Sequence, residues 1–495
     1  MTFQSFSYFL FLSGILTTYY LLPVRFRWGL LLAGSYFFYM RWNTCYALLM
    51  LLTTVVTFSL GILINRANQI PDRQRRVRHK KAYITLGFAL NLAILLCFKY
   101  ANLFLSSLGA ITDALGLFVV WPRAEWLLPV GISFYTFQAL GYIVDVYRGK
   151  VAATRHFGKY ALFVSFFPQL VAGPIGRATA LLKQFDEIHR PDFEVFRKGA
   201  LMILAGLIKK LLIADRLAVL VNLVYENLSE YSAPAYIVAT VCFAFQIYFD
   251  FSGYSDIAVG SAKLLGFRLA RNFDRPYFAA SIQDFWKRWH ITLGSWFRDY
   301  VFIPLSGFLI KRKWKFRSIY LVASFVVWLF TGLWHGASLN FIVWGLLHGF
   351  YLAVGYLTVP ARNKLYAKLR IRTEEVPARL GATLLTFLLV CFAWMFFRAN
   401  TFADLQLLLT RLLTRWDFSS LSRLVYLVNG RECLLMAVLL LGVYIVEVVD
   451  PNHGWHEWLF ARPLPVRWAV YLVLLFGLIL FGKYNESPSF IYFQF

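Results

Sequence analysis

Acidic side chains are scarce in this chain: its 495 residues hold 25 Asp and Glu against 50 Lys and Arg, a formal charge of +25. Long polar stretches are missing too. The largest, 181–198 and 360–379, are loop-sized, so no separate soluble domain is expected and any site must lie within the membrane. The first 24 residues carry no charge. The positive n-region of a secretory signal is therefore lacking, and the segment near 6–22 is expected to stay as a membrane span. Cysteine is sparse. Cys45, Cys97, Cys242, Cys391 and Cys433 are odd in number, lie in or beside apolar blocks, and follow no disulfide or metal-ligand spacing. Each reads as a small buried hydrophobe, with an acyl-carrying thiol as the weaker alternative. No Walker-type loop, GxSxG elbow, HExxH pair or EF-hand loop occurs, so a serine hydrolase is unsupported. No internal repeat is visible, which leaves the inverted halves of many transporters unsupported as well.

Apolar residues dominate instead: 59% are hydrophobic and 19% aromatic, against about 45–50% apolar in a soluble domain. They gather in blocks of roughly 17–25 residues, long enough to cross about 30 Å of hydrocarbon. Runs fall near 6–22, 28–40, 44–64, 83–98, 126–144, 159–176, 199–213, 234–260, 319–334, 340–359, 380–397, 432–449 and 467–482. The expected fold is an all-α polytopic membrane protein. It has about eleven to thirteen transmembrane or re-entrant helices, plus amphipathic interfacial helices. One membrane-embedded domain covers 1–495, with a motif core near 127–350 and C-terminal helices near 380–482. The run at 28–40 is short. The stretches LLPVGISFYTFQALGYIVDVYRG (127–149) and FFPQLVAGPIGR (166–177) mix Pro and Gly with apolar residues. They read as broken helices, tolerable only where protein covers the freed backbone groups.

The segment RANQIPDRQRRVRHKKA (66–82) holds seven Lys and Arg against one Asp. The positive-inside rule places it in the cytoplasm, with the Arg25/Arg27 turn inside and the N-terminus outside. Basic residues between apolar blocks face anionic headgroups of the lipid bilayer, so nucleic-acid binding is a poor reading of the charge.

Ionisable residues within apolar segments are functional candidates, because burying them in lipid is costly. FTGLWHGASLNFIVWGLLHG (330–349) has no Lys, Arg, Asp or Glu but carries His335 and His348. On one continuous helix, 13 residues span about 20 Å and turn roughly 220°, so the two could not face one spot or share a metal. Gly332, Gly336 and Asn340 point to a helix end that sets His335 where the chain breaks. His348, beside Gly349, reads as a helix-packing residue. In SIQDFWKRWHITLGSWFRDY (281–300), Ile282, Phe285, Trp286, Trp289, Leu293, Trp296, Phe297 and Tyr300 form one apolar helical stripe. An amphipathic helix at the interface is expected. His290 lies at the stripe's edge, facing either a cavity or the headgroups. In QIYFDFSGYSDIAVG (246–260), Asp250 and Asp256 flank Ser252 and Gly253. They fit an ion or proton path, or pairing with nearby arginines.

The blocks YFDFSGYSDIAVG, RNFDRPYFAASIQDFWKRWHITLGSWFRDYVFIPL and GLWHGASLNFIVWGLLHG, in this order, resemble the membrane-bound O-acyltransferase family. The likeness is to its bacterial branch of alginate O-acetyltransferase membrane subunits. It runs over nearly the whole chain and includes the stretches at 127–149 and 166–177 and the terminal SFIYFQF. The resemblance implies that His335, in the WHG motif, is catalytic and that His290, in FWKRWH, is a second functional position. Tyr248, Asp250, Arg288, Trp289 and Trp334 become candidates to line a central tunnel or support the histidines. It also implies acetyl-CoA as donor substrate, or an acyl carrier, with no bound cofactor and no metal. A periplasmic SGNH-type O-acetyltransferase partner would modify an extracytoplasmic polysaccharide, and the chain would sit in the bacterial inner membrane with a periplasmic N-terminus.

In such chemistry a nearby imidazole takes the proton of a hydroxyl that attacks a thioester. Burial would depress the imidazole pKa and keep it in the proton-accepting form, and basic cytoplasmic loops would attract the phosphates of coenzyme A. D-alanyl transfer to teichoic acid is the alternative within the family, because its two histidine motifs are similar. A secondary transporter or channel is the rival class. It would account for many spans but not for Trp-His pairs beside an amphipathic helix.

Overall fold

The structure, a computed structural model, describes residues 1–117, 119, 129–449, 455–484 and 490–491. Among these, every regular element is a helix. In chain order they begin α1 (Phe6–Leu21), α2 (Val24–Met40), α3 (Thr44–Ala67), α4 (Arg73–Ala114), α5 (Ile132–Tyr147), α6 (Phe157–Ser165), α7 (Phe167–Leu170), α8 (Ala178–Gln184) and α9 (Phe193–Leu207). A π-helical turn, Ile208–Ala214, leads into α10 (Asp215–Tyr225) and α11 (Ala233–Leu264). The middle of the chain holds α12 (Ile282–Arg288), α13 (Ile291–Phe297), α14 (Ile303–Lys311), α15 (Phe316–His335), α16 (Leu339–Leu357) and α17 (Val359–Lys368). The rest are α18 (Val376–Arg398), α19 (Phe402–Thr414), α20 (Ser419–Val428), α21 (Gly430–Val449), α22 (Trp455–Phe460) and α23 (Leu464–Phe481).

Seven of these helices, α3, α4, α11, α15, α16, α18 and α23, are long and apolar enough to cross a membrane. The chain is a polytopic all-α membrane protein. Of the other apolar runs, several fold as shorter helices (α1 has 16 residues, α2 17 and α5 16), while the run at 432–449 forms the 20-residue α21. The run at 199–213 turns from α9 into the π-helical stretch. Contacts gather into two compact units, Met1–Ile203 with Ile257–Ala270, and Leu204–Asp256 with Arg271–Phe495.

In the first unit α5 is buried along Ile132–Val146, more than any one amphipathic face would bury. It lies against helices that offer glycines: a Cβ on Gly61 would meet the Tyr142 ring at 2.7 Å, and one on Gly87 would meet Ile143 at 2.6 Å. Small residues let membrane helices approach closely. Residues 127 and 128 of the expected broken segment lie outside the described residues. Its Gly131 takes the left-handed conformation (φ 74°), and the Leu170 carbonyl lies 2.6 Å from where a Cβ would be, which demands glycine. The expected break at 159–176 falls at Phe166, between α6 and α7. Phe167 N–H donates to Ser35 Oγ (3.1 Å), so a side chain covers a freed backbone group.

In the second unit α15 and α16 form an antiparallel hairpin. Gly332 and Gly345 face each other, and a Cβ on either would strike the other helix's backbone. α18 packs against α16, and α12 against both.

Candidate active site

α15 stops at His335 for local reasons. Gly336 is extended (φ −173°, ψ 161°), and the Phe341 ring occupies the space where its Cβ would lie. Ser338 then caps α16 by accepting from Asn340 N–H at 3.3 Å. The Asn340 side-chain amide donates to the Ala399 carbonyl (2.8 Å), tying the start of α16 to the end of α18. His335 is 4% exposed. Its ring centroid lies 4.8 Å from Trp334, 4.8 Å from Trp344 and 5.1 Å from Phe397. The helix end expected from Gly332, Gly336 and Asn340 is there.

The segment around His290 is not the single amphipathic helix expected. α12 ends at Arg288, Trp289 is extended, and His290 adopts the left-handed conformation (φ 42°, ψ 53°) as the N-cap of α13. The break survives burial because a neighbouring strip pairs its backbone. Ile291 N–H donates to the Asn272 carbonyl (2.9 Å), Asp274 N–H to the Arg288 carbonyl (2.9 Å), and Thr292 Oγ1 to Asn272 Oδ1 (2.6 Å). The headgroup reading of His290 also fails, since the residue is 1% exposed. It lies outside the seven spanning helices, and burial pushes its imidazole down from 6.5 to about 3. The neutral, proton-accepting form is the one present at physiological pH.

The two histidines meet on one side chain. The Trp334 indole is 5.9 Å from the His290 ring and 4.8 Å from the His335 ring. Phe251 of α11 closes on His290 edge-on at 4.7 Å. Trp289 is buried between Phe285 (5.5 Å) and Trp394 (5.1 Å), with Tyr248 6.1 Å away. Tyr248 donates to Glu447 Oε1 at 2.6 Å, a partner nearly 200 residues distant. Arg288 pairs with Asp284 on its own helix (3.0 Å).

Asp250 and Asp256 pair with lysines, not arginines. Gly253 lets the π-helical turn cross α11 closely: its missing Cβ would sit 2.7 Å from the Gly206 carbonyl and 3.0 Å from Lys209 Cβ. The turn thus sets Lys209 against Asp256 (2.7 Å) and Lys210 against both Asp250 and Asp215 (2.8 Å each). Asp250 also accepts from Ile491 N–H at 2.8 Å. Phe490 stacks on Tyr254 (4.6 Å) and meets Phe251, the ring that closes on His290, at 5.7 Å.

His348 behaves as the expected packing residue in part: it is fully buried in α16. The rotation argument against a shared neighbourhood fails, because the helix breaks at 336–338. Trp344 touches both His335 (4.8 Å) and His348 (5.0 Å). Trp286 Nε1–H donates to His348 Nδ1 at 3.1 Å. Sequence reasoning missed Trp344, Phe397, Phe251, Lys210 and Glu447. Charge was the only signal that could have found Lys210 and Glu447, and nothing in their spacing linked them to this site. Among the described residues no group of three His, Cys, Asp or Glu could hold a metal.

The fold and this buried histidine cluster define a polytopic all-α membrane protein, and comparison gives its family. The membrane-bound O-acyltransferase family profile matches residues 151–376, which include both histidines. The chain is 37% identical over 441 residues to the "Probable alginate O-acetylase AlgI" of Azotobacter vinelandii, covering 88% of this chain and 83% of that protein. It is 39% identical over 396 residues to the protein of the same name in Pseudomonas aeruginosa, covering 79% and 71%. It is 33% identical over 396 residues to the peptidoglycan O-acetyltransferase of Helicobacter pylori, covering 75% and 70%. The chain belongs to the membrane-bound O-acyltransferase family and is an O-acyltransferase enzyme.

Proposed function

We propose that this enzyme O-acetylates an extracytoplasmic polysaccharide, moving the acetyl group of cytoplasmic acetyl-CoA across the bacterial inner membrane to a periplasmic SGNH-type partner. The observation that carries the reading is the convergence of His290 and His335, 45 residues apart in sequence, on the Trp334 indole. The names of the relatives support O-acetylation, on alginate in two of them and on peptidoglycan in the third.

In this reading the histidines face a tunnel open to both compartments. His335 accepts the proton of the acceptor hydroxyl as its oxygen attacks the thioester carbonyl. The tetrahedral intermediate collapses, the C–S bond breaks, and the thiolate leaves with the proton returned from the imidazolium. The products are an O-acetyl ester and free coenzyme A. His290 orients the acceptor or His335. Exclusion of water by the surrounding rings keeps the thioester from hydrolysis. The basic segment 66–82 lies in the cytoplasm, where it attracts the donor's phosphates.

The test is polymer acetylation in cells that carry His335→Ala in place of the wild-type chain. We expect ester content at background with the protein still in the membrane fraction. Wild-type ester content would exclude His335 as the base.

A further inference from the structure

We infer that His348 is a positioning residue for this reaction, acting through its hydrogen bond with Trp286; the inference rests on the reading of His335 and His290 given above. His348 stands one helix turn beyond Trp344, mid-way along α16, wholly enclosed by Trp286 (4.9 Å), Trp328 (5.0 Å), Trp344 (5.0 Å) and Tyr351 (5.7 Å). An indole nitrogen only donates, so the 3.1 Å bond from Trp286 Nε1 requires His348 Nδ1 to accept. That fixes the neutral ring with its proton on Nε2.

The bond joins α12, whose chain leads into His290, to α16, which packs on α15 and its terminal His335. Trp286 is on α12, four residues before His290, and the backbone of Trp289 and His290 continues from that helix. His348 is on α16, and its neighbour Trp344 packs on His335 at 4.8 Å. One hydrogen bond thus sets α12, and with it the left-handed turn at His290, against the α15–α16 hairpin, whose first helix ends in His335. Replacing both partners of a buried hydrogen bond by apolar groups of similar shape can be nearly neutral for stability. The value of this bond lies in direction: packing of flat rings permits sliding, and a directed N–H···N contact does not. His348 contributes no group to the reacting atoms.

The experiment measures kcat and KM for acetyl-CoA with the full chain in proteoliposomes supplied with its acceptor. We expect His348→Phe to lower kcat about 10- to 100-fold, as small displacements of reacting groups do, with KM within about twofold. His348→Asn places its amide oxygen where Nδ1 was and restores kcat to within about threefold, whereas His348→Gln, whose oxygen falls nearer the Nε2 position, does not. Trp286→Phe matches His348→Phe, and the double variant is no slower than either. Equal rates for Asn and Gln, losses in the single variants that multiply, or a rise in KM at constant kcat would overturn the role. The Asn and Gln pair decides even where the Phe variant does not accumulate. His335→Ala is assayed alongside. Activity in that variant removes the site itself, whereas an inactive His335→Ala with equal Asn and Gln rates removes only the role of His348.

Discussion

Two lysines adjacent in sequence show how burial decides what an ion pair is worth. Lys210 and its partners Asp215 and Asp250 have side chains no more than 5% exposed, while Lys209 and Asp256 are 25% and 30% exposed. Lys210→Met leaves two buried carboxylates without their shared ammonium and is expected to cost about 3–5 kcal/mol. Lys209→Met is expected to cost about 1 kcal/mol or less. Thermal unfolding in detergent separates the two, and equal losses would contradict the assignment of the charges. The His290 imidazole gives a pH dependence of definite sign. Its folded value of about 3 lies below the unfolded 6.5, so acidification protonates the unfolded chain first. Stability should therefore fall as pH drops below about 6.5, by up to about 1.4 kcal/mol per pH unit from this group. Wild type should lose more melting temperature between pH 7 and pH 5 than His290→Asn. Parallel losses would place the imidazole in a solvated setting. At this scale the sequence marked Asp250 and Asp256, because charges in apolar runs stand out, but it passed over Lys210. It could not name their partners: Asp250 and Lys210 are 40 residues apart, and they meet only because Gly253 admits a π-helical turn.

Two helix interruptions build the site, and they differ in how legible they were. The stop at His335 was written in Gly332, Gly336 and Asn340. The left-handed turn at His290 was not, because the apolar period runs straight through it: Ile282, Phe285, Trp289, Leu293 and Trp296 are all buried although two helices carry them. A period reports which side chains face inward, and one residue at φ 42° leaves it nearly unchanged. The turn predicts a ranking of substitutions. His290→Gly and His290→Asn tolerate the left-handed region, while His290→Val should be less stable by about 1–3 kcal/mol, measurable by thermal unfolding. Equal stability of the three would mean the turn is not held. The hairpin makes a second demand. Gly345→Val drives carbon into the Trp328 carbonyl and Gly332, and should cost about 1–3 kcal/mol and displace His335, with loss of activity. Gly355→Ala, on the same helix with open space around it, should keep wild-type activity and melting.

For the molecule as a whole, composition and the spacing of apolar runs were enough for an all-α membrane protein. They did not tell which of the eleven to thirteen transmembrane or re-entrant segments cross: seven of the described helices are long and apolar enough, and the run that breaks at Phe166 carries the Pro and Gly that marked the break. The charge of the 66–82 segment predicts the orientation, with the N-terminus outside. In a cysteine-free background, a membrane-impermeant thiol reagent applied to intact cells should label Gln4→Cys and spare Gln74→Cys until the membrane is permeabilised. The reverse pattern would invert the donor and acceptor sides. The central claim is that His335 and His290 act together on an acyl thioester in one membrane site. Its most direct measurement is release of coenzyme A from labelled acetyl-CoA, with appearance of labelled acceptor ester, by proteoliposomes that hold wild type, His335→Ala, His290→Gly or the double variant. Residues that act as a unit are non-additive, so the account predicts losses in both single variants and a double variant no slower than the slower single. Wild-type turnover in His335→Ala, or losses in the two single variants that multiply in the double, would contradict it.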